Sequence, residues 1–466
     1  MAKPFKEGRN EIESGFYAFT ELVVQGAINK NARGVLMMPI KADWGPENIV
    51  VELNSKEEAK ATFVGQNADL LELAFAAPLK QLKVVRLATD EAKRAALSLE
   101  SIKIEAVHTG ARGNNFKVTI RPKLGDDTAK HFILTENNIE LERITFMTVD
   151  ELIAKSKDSL YVSISKVDGV DGEKAVENIN SIPLTGGSSG EAVKVEDYVE
   201  FFGLAKEEEF NAVVLDGIKD KAVKAMLSQF VQTSRASGKL ITGYTGGEDA
   251  RDIDYYAITN NIQKAGNNDR EYSAEEVAVY AAAALISCPL NESMTQKETP
   301  FTWVEKLGVE ETKRRLAEGN LLFFQEGKTV RFNTAVNTMT TMKNLDEAVG
   351  ISREADEKAA IRTLQKVKVV AAIDYITVAE EKIFSKYMSK ANTQARRLAS
   401  AQAIKDELLE KLAESEVIET GTYNCYEDPR HTEDTGKTVY KDEAYFVTEY
   451  VVIDAIEKVY NKNKVA

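Results

Sequence analysis

The sequence predicts a mixed α/β protein of several domains: a layered α/β main domain, an inserted small antiparallel β domain, a helical C-terminal domain and extended arms at both ends. Three observations support this class. Strand patterns alternate with helical patterns in two separate blocks of the chain. Short strands divided by polar turns fill the interval between the blocks. Helical patterns dominate after Gly350.

The N-terminal segment predicts an arm followed by a strand. Residues 1–15 contain few large apolar side chains and two glycines, which is typical of an extended chain. Residues 16–24 are rich in aromatic and β-branched side chains and predict a strand. An arm that ends in a strand favours pairing with another sheet.

The first α/β block follows the arm. Its predicted elements are a buried strand at 34–40, a second strand at 49–53, a helix from Lys56 with Ser55 as its N-cap, a helix near 70–77 and a strand at 83–87. This alternation predicts a sheet covered by helices.

An insertion then interrupts the alternation. Its predicted strands lie at 102–107, 116–120, 131–134, 139–144 and 161–164. Because polar turns divide these strands, we expect a small and mostly antiparallel domain. A glycine-rich loop at residues 184–190 closes the insertion.

The second α/β block resumes the alternation, and we expect it to share one sheet with the first. Its predicted elements are helices at 195–203, 219–237, 275–286 and 309–319, the last ending at Gly319, and strands at 212–215, 240–243, 321–325 and 329–333, the last two forming a hairpin. Beyond it we expect helices at 359–388 and 393–414 and a strand at 445–453.

These changes of pattern divide the chain into six parts. The predicted divisions are an N-terminal arm at 1–22, the first part of the main domain at 23–98, the β-rich insertion at 99–190, the second part of the main domain at 191–350, a C-terminal linking domain at 351–458 and a C-terminal arm at 459–466.

Composition excludes several classes of function. The chain has 466 residues, with 60 Lys and Arg against 74 Asp and Glu, so its net charge of −14 argues against nucleic acid as a partner. The two cysteines and three histidines fit neither a disulfide framework nor a zinc pattern; they are Cys288, Cys425, His108, His131 and His431. With no export signal or membrane span visible, the sequence favours an intracellular protein without a metal, a cofactor or catalytic residues.

Two glycine-rich segments leave one alternative open. Residues 186–190 and 243–247 would offer backbone N–H groups to a phosphate, but neither is followed by Lys-Ser or Lys-Thr. We expect both to be flexible turns at domain junctions. The alternative for these segments is an α/β enzyme or a binding protein for a phosphorylated small molecule. For the chain as a whole, a second alternative is a non-contractile polymer or surface-layer subunit.

A basic segment stands out from the acidic chain. Six cations and no acid lie between residues 382 and 405, namely Lys382, Lys386, Lys390, Arg396, Arg397 and Lys405. The spacing of the first three predicts that they share one helix face. The segment is either a solvated face or a surface that docks on an acidic protein.

Taken together, the motifs resemble those of the contractile tail sheath proteins of phages and phage-tail-like bacteriocins, particularly the defective-prophage type. The motifs are Arg-Gly-Val at 33–35, Trp-Gly-Pro at 44–46, Gly-Ala-Arg-Gly-Asn-Asn at 110–115, Leu-Thr-Gly-Gly-Ser-Ser-Gly at 184–190, Arg-Ala-Ser-Gly-Lys at 235–239, Val-Asn-Thr-Met-Thr at 336–340 and Val-Ile-Asp-Ala-Ile-Glu-Lys at 452–458. The sequence departs from the family where Ser14 to Tyr17 lacks the proline that often precedes the first strand.

The resemblance implies a structural subunit rather than an enzyme. Such subunits form a homo-oligomer of hexameric rings stacked around an inner tail tube protein, and the sheath contracts to drive the tube through a target envelope. Baseplate and tail terminator proteins would be further partners, without nucleic acid or membrane. The subunit would assemble in the host cytoplasm and then form part of a virion or a phage-tail-like particle.

The resemblance also implies roles for three sets of residues. The inter-subunit arms would contain Phe16, Tyr17, Phe19, Leu22, Val447, Val451, Ile453, Val459 and Tyr460. The candidate contacts with the tube are Lys382, Lys386, Lys390, Arg396 and Arg397. The candidate hinge of the inserted domain contains Gly186, Gly187 and Gly190.

Overall fold

The computed structural model of the chain describes residues 3–4, 17–18, 20–22, 33–87, 89, 91–248, 253–267, 270–346, 349–351, 357–433, 438–455 and 457.

Strands are found from the N-terminal to the C-terminal part of the described chain. In chain order they are β1 Lys3–Pro4, β2 Tyr17–Ala18, β3 Thr20–Leu22, β4 Val35–Ile40, β5 Val50–Leu53, β6 Gln81–Arg86, β7 Ala96–Ser98, β8 Ile102–Ala106, β9 Phe116–Lys123, β10 Asp126–Glu136, β11 Ile139–Phe146, β12 Val162–Lys166, β13 Ile179–Pro183, β14 Ala212–Val214, β15 Thr242–Gly246, β16 Ile258–Asn261, β17 Ala265–Gly266, β18 Glu271–Tyr272, β19 Trp303–Val304, β20 Asn320–Glu326, β21 Thr329–Thr334, β22 Val349–Ile351, β23 Asn424–Glu427 and β24 Phe446–Glu449.

Most helices begin and end close to the predicted positions, but the helix at Val149–Lys155 was not predicted, and the helix predicted at 359–388 is divided in two. They are α1 Lys56–Thr62, α2 Asp69–Ala74, α3 Val149–Lys155, α4 Val195–Lys206, α5 Lys221–Ala236, α6 Ala274–Ser287, α7 Val309–Ala317, α8 Glu357–Leu364, α9 Val367–Phe384, α10 Gln394–Ile404 and α11 Glu410–Glu414, with a π-helical turn at Lys405–Leu409 between the last two. Ser55 caps α1 as predicted, because its side chain accepts a hydrogen bond from the backbone N–H of Glu58. Gly319 follows α7 with a φ of 76°, which suits a glycine just beyond a helix end.

The chain divides into two compact units, of which the first contains residues 1–37, 74–81 and 209–466. Its main sheet has the strand order β21-β20-β16-β15-β14-β4. The pairs from β4 to β20 are parallel, whereas β20 and β21 form the predicted antiparallel hairpin. Helices α5 and α6 pack on β15, so this unit has the layered α/β architecture that the sequence predicts.

The prediction of a flexible turn at residues 243–247 is wrong. Residues 242–246 form the buried strand β15. A Cβ at Gly243 would lie 2.6 Å from Ile258 and 2.8 Å from Val231, and a Cβ at Gly246 would lie 2.3 Å from the carbonyl oxygen of Ala274. The glycines are therefore required because neighbouring elements approach the strand closely.

The predicted helix at 359–388 is wrong as a single helix, since it is broken near its start and ends early. The Asn337 side chain donates to the carbonyl of Leu364 at 2.6 Å, and the Asn337 backbone N–H donates to Gln365 at 2.8 Å. The two carbonyls lie at the end of α8 and are bound by a loop instead of by the next helical turn. A new helix, α9, begins at Val367. Helix α9 then ends at Phe384, and turns follow it.

The C-terminal part of the first unit has its own apolar core. Helices α9, α10 and α11 contribute buried side chains such as Ile376, Ile404 and Leu412. The antiparallel pair β23 and β24 covers this core, with Cys425 buried and Phe446 packed against it. Strand β24 matches part of the predicted strand at 445–453, whereas β23 was not predicted.

The second unit contains residues 38–73 and 82–208. It contains two antiparallel sheets, with orders β11-β10-β9-β13 and β12-β8-β7. One core contains Ile104 and Ile164 from the smaller sheet and Val118, Phe132 and Ile144 from the larger one. The unit thus contains a β-sandwich, and the mixed α/β class with an antiparallel β domain is confirmed.

Candidate assembly surfaces

The predicted N-terminal arm forms two short strand pairs, one within itself and one with a later segment of the first unit. Strand β1 pairs in parallel with β2, and Lys3 lies opposite Tyr17. Strand β3 pairs in parallel with β22, and Leu22 lies opposite Ile351. Phe16 and Phe19, also predicted for the arm, lie outside the described residues. The described arm residues thus pair within their own chain, and strand addition to a neighbouring subunit stays a prediction.

The described residues of the C-terminal segment contact the body of their own chain. Val447 lies opposite Tyr426 in the β23–β24 pair. The carbonyl of Val451 accepts a hydrogen bond from the Glu419 N–H at 2.9 Å, and Ile453 packs on the C-terminal core. Val459 and Tyr460 lie outside the described residues. Their role between subunits, like that of the N-terminal arm, stays a prediction.

Ion pairs fix the next part of this segment at the start of α9. The Lys366 ammonium, at the N-cap of α9, pairs with Asp454 and, at 3.3 Å, with Glu457. Ser293 and Thr295 also donate to the Glu457 carboxylate, at 3.3 and 3.1 Å. The motif at 452–458 therefore contains the residues that anchor the C-terminal segment to the first unit.

The basic segment does not form one helix face. Lys382 lies in the last turn of α9, whereas Lys386 and Lys390 lie in the turns after the helix ends at Phe384. The prediction that the three lysines share a face is therefore wrong. Lys386 pairs with Glu407 at 2.5 Å, so its charge is partly neutralised within the chain.

The remaining cations of this segment differ in how strongly they are engaged. Arg397 is only 15% exposed and pairs with Glu427 at 2.6 Å. Arg396 donates to the carbonyl of Ala391 at 2.8 Å, and the Lys390 ammonium lies 5.4 Å from the Tyr387 ring. Lys382 is exposed and makes no ion pair with any residue that the structure describes. Lys382, Lys390, Arg396 and Lys405 therefore carry the positive charge that is not paired with an acid within this part of the molecule.

The candidate hinge loop lies inside the second unit and is held by hydrogen bonds. The Asn114 side chain accepts from the Gly187 N–H and donates to the Gly187 carbonyl, both at 2.8 Å. Ser189 donates to Asp43 at 2.7 Å, and the Gly190 N–H donates to Ser188 at 3.1 Å. Gly186 has a φ of 83°, and a Cβ there would meet no atom within 4 Å. Hinge motion at this loop stays a prediction, and it would have to break these bonds.

A buried ionic network, not predicted from the sequence, joins α5 and α9. Arg235 donates to Asp374 through two hydrogen bonds of 2.7 and 2.9 Å, and to the Tyr256 hydroxyl at 3.0 Å. The Tyr255 and Tyr256 hydroxyls both donate to Asp346. Burial opposes the charge of Arg235, but the Asp374 carboxylate outweighs it and raises the pKa of the guanidinium. The motif at 235–239 contains Arg235, but no pattern in the sequence predicts that Asp374 is its partner.

A carboxyl group lies between α9 and the C-terminal strand. The Oε1 atom of Glu380 is buried and has no hydrogen-bond partner. Burial raises the pKa of Glu380 to about 7, although the Thr448 hydroxyl stabilises its charged form. The titratable groups around it are Cys425 and Tyr450, and burial raises the pKa of each. Glu380 is therefore a group that titrates near neutral pH beneath β24.

Neither a metal site nor a membrane helix is found within the described ranges. No group of three or more His, Cys, Asp or Glu side chains there is placed to hold a metal ion. Among the same residues, no helix combines the length and apolar character needed to cross a bilayer.

Solved tail sheath proteins share this fold over almost the whole chain. The sheath tail protein of Desulfitobacterium hafniense matches with a TM-score of 0.72 at 19% identity, covering 91% of this chain and 97% of that chain. The helical sheath of the anti-feeding prophage in its contracted state matches with a TM-score of 0.55 at 9% identity and covers 99% of both chains. The chain therefore has the fold of a tail sheath protein.

Sequence comparison agrees with this fold. Residues 88–197 match the family described as the phage tail sheath protein beta-sandwich domain. The phage-like element PBSX protein XkdK of Bacillus subtilis (strain 168) is 23% identical over 391 residues, which cover 80% of this chain and 79% of that protein. The resemblance to tail sheath proteins that the motifs predict is confirmed.

Proposed function

We propose that this protein is the structural subunit of a contractile tail sheath. The observation that carries the proposal is the shared fold, which extends over 91% of this chain and 97% of a solved sheath tail protein. Because the match spans both units, it concerns the whole subunit rather than one common domain. A sheath solved in its contracted state has the same fold, which supports a subunit that takes part in contraction.

The assembly would be a stack of hexameric rings around an inner tail tube, bounded by a baseplate and a tail terminator. The subunit would assemble in the host cytoplasm and function in a virion or a phage-tail-like particle. Residues 1–22 and 459–466 would link neighbouring subunits by strand addition, since each added backbone hydrogen bond contributes about 0.5–1.5 kcal/mol net. Lys382, Lys390 and Arg396 would face the tube, and residues 99–190 would project outward.

The alternative, a protein that binds a phosphorylated small molecule at the glycine-rich segments, has no geometric support. The N–H groups of Gly187 and Gly190 donate to Asn114 and Ser188, so these donors are already engaged. The N–H of Gly247 donates to the carbonyl of Asn261 at 2.7 Å. We therefore propose that the protein acts through its interfaces and is not an enzyme.

Negative-stain microscopy of the purified protein tests this function, both alone and after co-expression with the tube protein of its own gene cluster. We expect hollow striated cylinders, with a longer narrow form on tubes and a shorter wide form after treatment with acid or urea. Monodisperse particles under all conditions would contradict the proposal. Cylinders of a single diameter would instead support a polymer that does not contract.

A further inference from the structure

A small pocket lies in the first unit between the start of β4, the end of α6 and the start of α9. Its volume is about 290 Å³, including the part open to solvent. The enclosed space available to the centre of a water-sized group is only about 20 Å³, so this pocket suits one small group rather than a nucleotide. Apolar side chains from α6 and α9 form much of its wall, and the polar side chains are Arg33, Cys288, Glu292, Ser293 and Lys368.

Two of these side chains are cations without a hydrogen-bonded acid. Arg33 precedes β4, and Lys368 is the second residue of α9. Within the described ranges, neither the Arg33 guanidinium nor the Lys368 ammonium makes a hydrogen bond or ion pair. Burial lowers the pKa of both groups, which shows that each charge has lost part of its hydration. A partly dehydrated cation is costly unless an anion compensates it.

The acids near the pocket already have cations of their own. Glu292 pairs with Lys297, and Glu457 pairs with Lys366 at 3.3 Å. Asp374, which lies within electrostatic reach of Arg33, is bound at 2.7 Å by Arg235. The lining of the pocket thus contains two cations, Arg33 and Lys368, against one acid, Glu292.

We propose that this pocket is a binding site for one oxyanion group, a carboxylate or a phosphate, held by Arg33 and Lys368. The guanidinium matches the two oxygens of such a group, and the ammonium adds a further donor. The oxyanion is either a free ion or an acidic side chain of a second copy of the chain. The site does not depend on the proposed sheath function.

Cys288 lines the same pocket and provides a native reporter. Its side chain is partly exposed, whereas Cys425 is buried in the C-terminal core and serves as an internal control. The thiols of the purified subunit are labelled with iodoacetamide, and each site is followed by mass spectrometry. Inorganic phosphate and acetate are compared with chloride at equal ionic strength. We expect phosphate or acetate to slow the labelling of Cys288 several-fold and to leave Cys425 unchanged.

Two variants assign the effect to the two cations. Arg33→Gln and Lys368→Gln should each abolish the protection of Cys288, whereas Lys382→Gln, an exposed cation in the same helix, should retain it. If Arg33→Gln fails to fold, Lys368→Gln alone decides the question. Protection that persists in folded Lys368→Gln would overturn the proposal.

The two sources of the oxyanion are separated by protein concentration. A carboxylate from a second copy should protect Cys288 increasingly as the concentration of the protein rises, without any added anion. A free ion should protect it at all protein concentrations, but only when phosphate or acetate is present. The absence of protection under both conditions would show that the pocket binds no oxyanion.

Discussion

The Arg235 guanidinium on α5 and the Asp374 carboxylate on α9 form a buried pair through two hydrogen bonds of 2.7 and 2.9 Å. The side chain of Arg235 is 3% exposed and that of Asp374 is 11% exposed. The pair connects a helix of the layered sheet with the longest helix of the C-terminal region, both in the first unit. Its position makes it a structural link rather than a surface contact.

Removal of the Asp374 carboxylate should strongly destabilise the first unit. Asp374→Ala leaves the buried Arg235 guanidinium with only one acidic partner, the Asp346 carboxylate at 3.6 Å, and the loss of a buried hydrogen-bonded pair costs about 3–5 kcal/mol. The midpoint of urea unfolding, followed by tryptophan fluorescence and circular dichroism, measures the effect. Glu310→Ala is the matched control, because Glu310 pairs with Lys313 at an exposed site, where the cost should be below about 1 kcal/mol. Equal midpoints for the two variants would show that the buried pair contributes nothing.

Stability should decrease between about pH 4.5 and pH 7 because of Glu380. Burial raises the pKa of this carboxyl from 4.5 to about 7. The folded state therefore keeps the proton in this interval while the unfolded state releases it, and stability is lost as the pH rises. The loss amounts to at most about 3 kcal/mol.

The variant Glu380→Gln tests this pH dependence, since its amide does not titrate. The thermal midpoint of the wild-type protein should fall from pH 5 to pH 8 more than that of the variant, and the variant should be the more stable at pH 8. Glu310→Gln, at an exposed site, should follow the wild-type profile. Parallel profiles for wild type and Glu380→Gln would contradict the assignment.

A methyl group at Gly246 should not be tolerated. A Cβ there would lie 2.3 Å from the Ala274 carbonyl oxygen at the start of α6, and overpacking of this kind costs about 1–3 kcal/mol. Gly203→Ala is the control, because Gly203 lies in α4 and its Cβ would meet no atom within 4 Å. That change should be neutral or should stabilise by up to about 1 kcal/mol. Similar thermal midpoints for the two variants would contradict the close approach in β15.

Charge reversal in the basic segment should weaken docking on the tube. The double variant Lys382→Glu and Lys390→Glu reverses two cations that are not paired with an acid within the described ranges. Its co-sedimentation with tubes should therefore fall sharply at low salt and less at high salt, because salt screens charge interactions. Lys386→Gln should have a smaller effect, since this lysine already pairs with Glu407. Unchanged co-sedimentation of the double variant would remove the segment from the tube interface.

Deletion of residues 1–22 should prevent polymerisation. The deletion removes β1, β2 and β3, whose backbone is able to pair with other strands. Light scattering and electron microscopy of the truncated protein should show no cylinders. Leu124→Ser is the control, because this side chain is fully exposed in the turn between β9 and β10, and it should polymerise normally. Cylinders of normal length from the truncated protein would show that the arm is dispensable.

Much of the local structure was predictable because its causes lie close together in the sequence. Ser55 caps α1 through a residue three positions away, and the hairpin of β20 and β21 closes at a tight turn. The sequence predicts a turn at residues 243–247, where β15 is found, because glycine is common in turns. Its packing against Ile258 and Ala274 comes from other parts of the chain.

By itself, the sequence determined the alternating α/β blocks, the antiparallel insertion, the helical C-terminal region and the resemblance to tail sheath proteins. These features follow from periodicity and short motifs, which act over a few residues. Only the tertiary structure decided that Arg235 meets Asp374, 139 positions away. It also decided that Lys386 is paired with Glu407, that Glu380 is buried beneath β24, and that Arg33 and Lys368 line one pocket. Burial and ion pairing depend on which distant segments meet, and no local pattern contains that information.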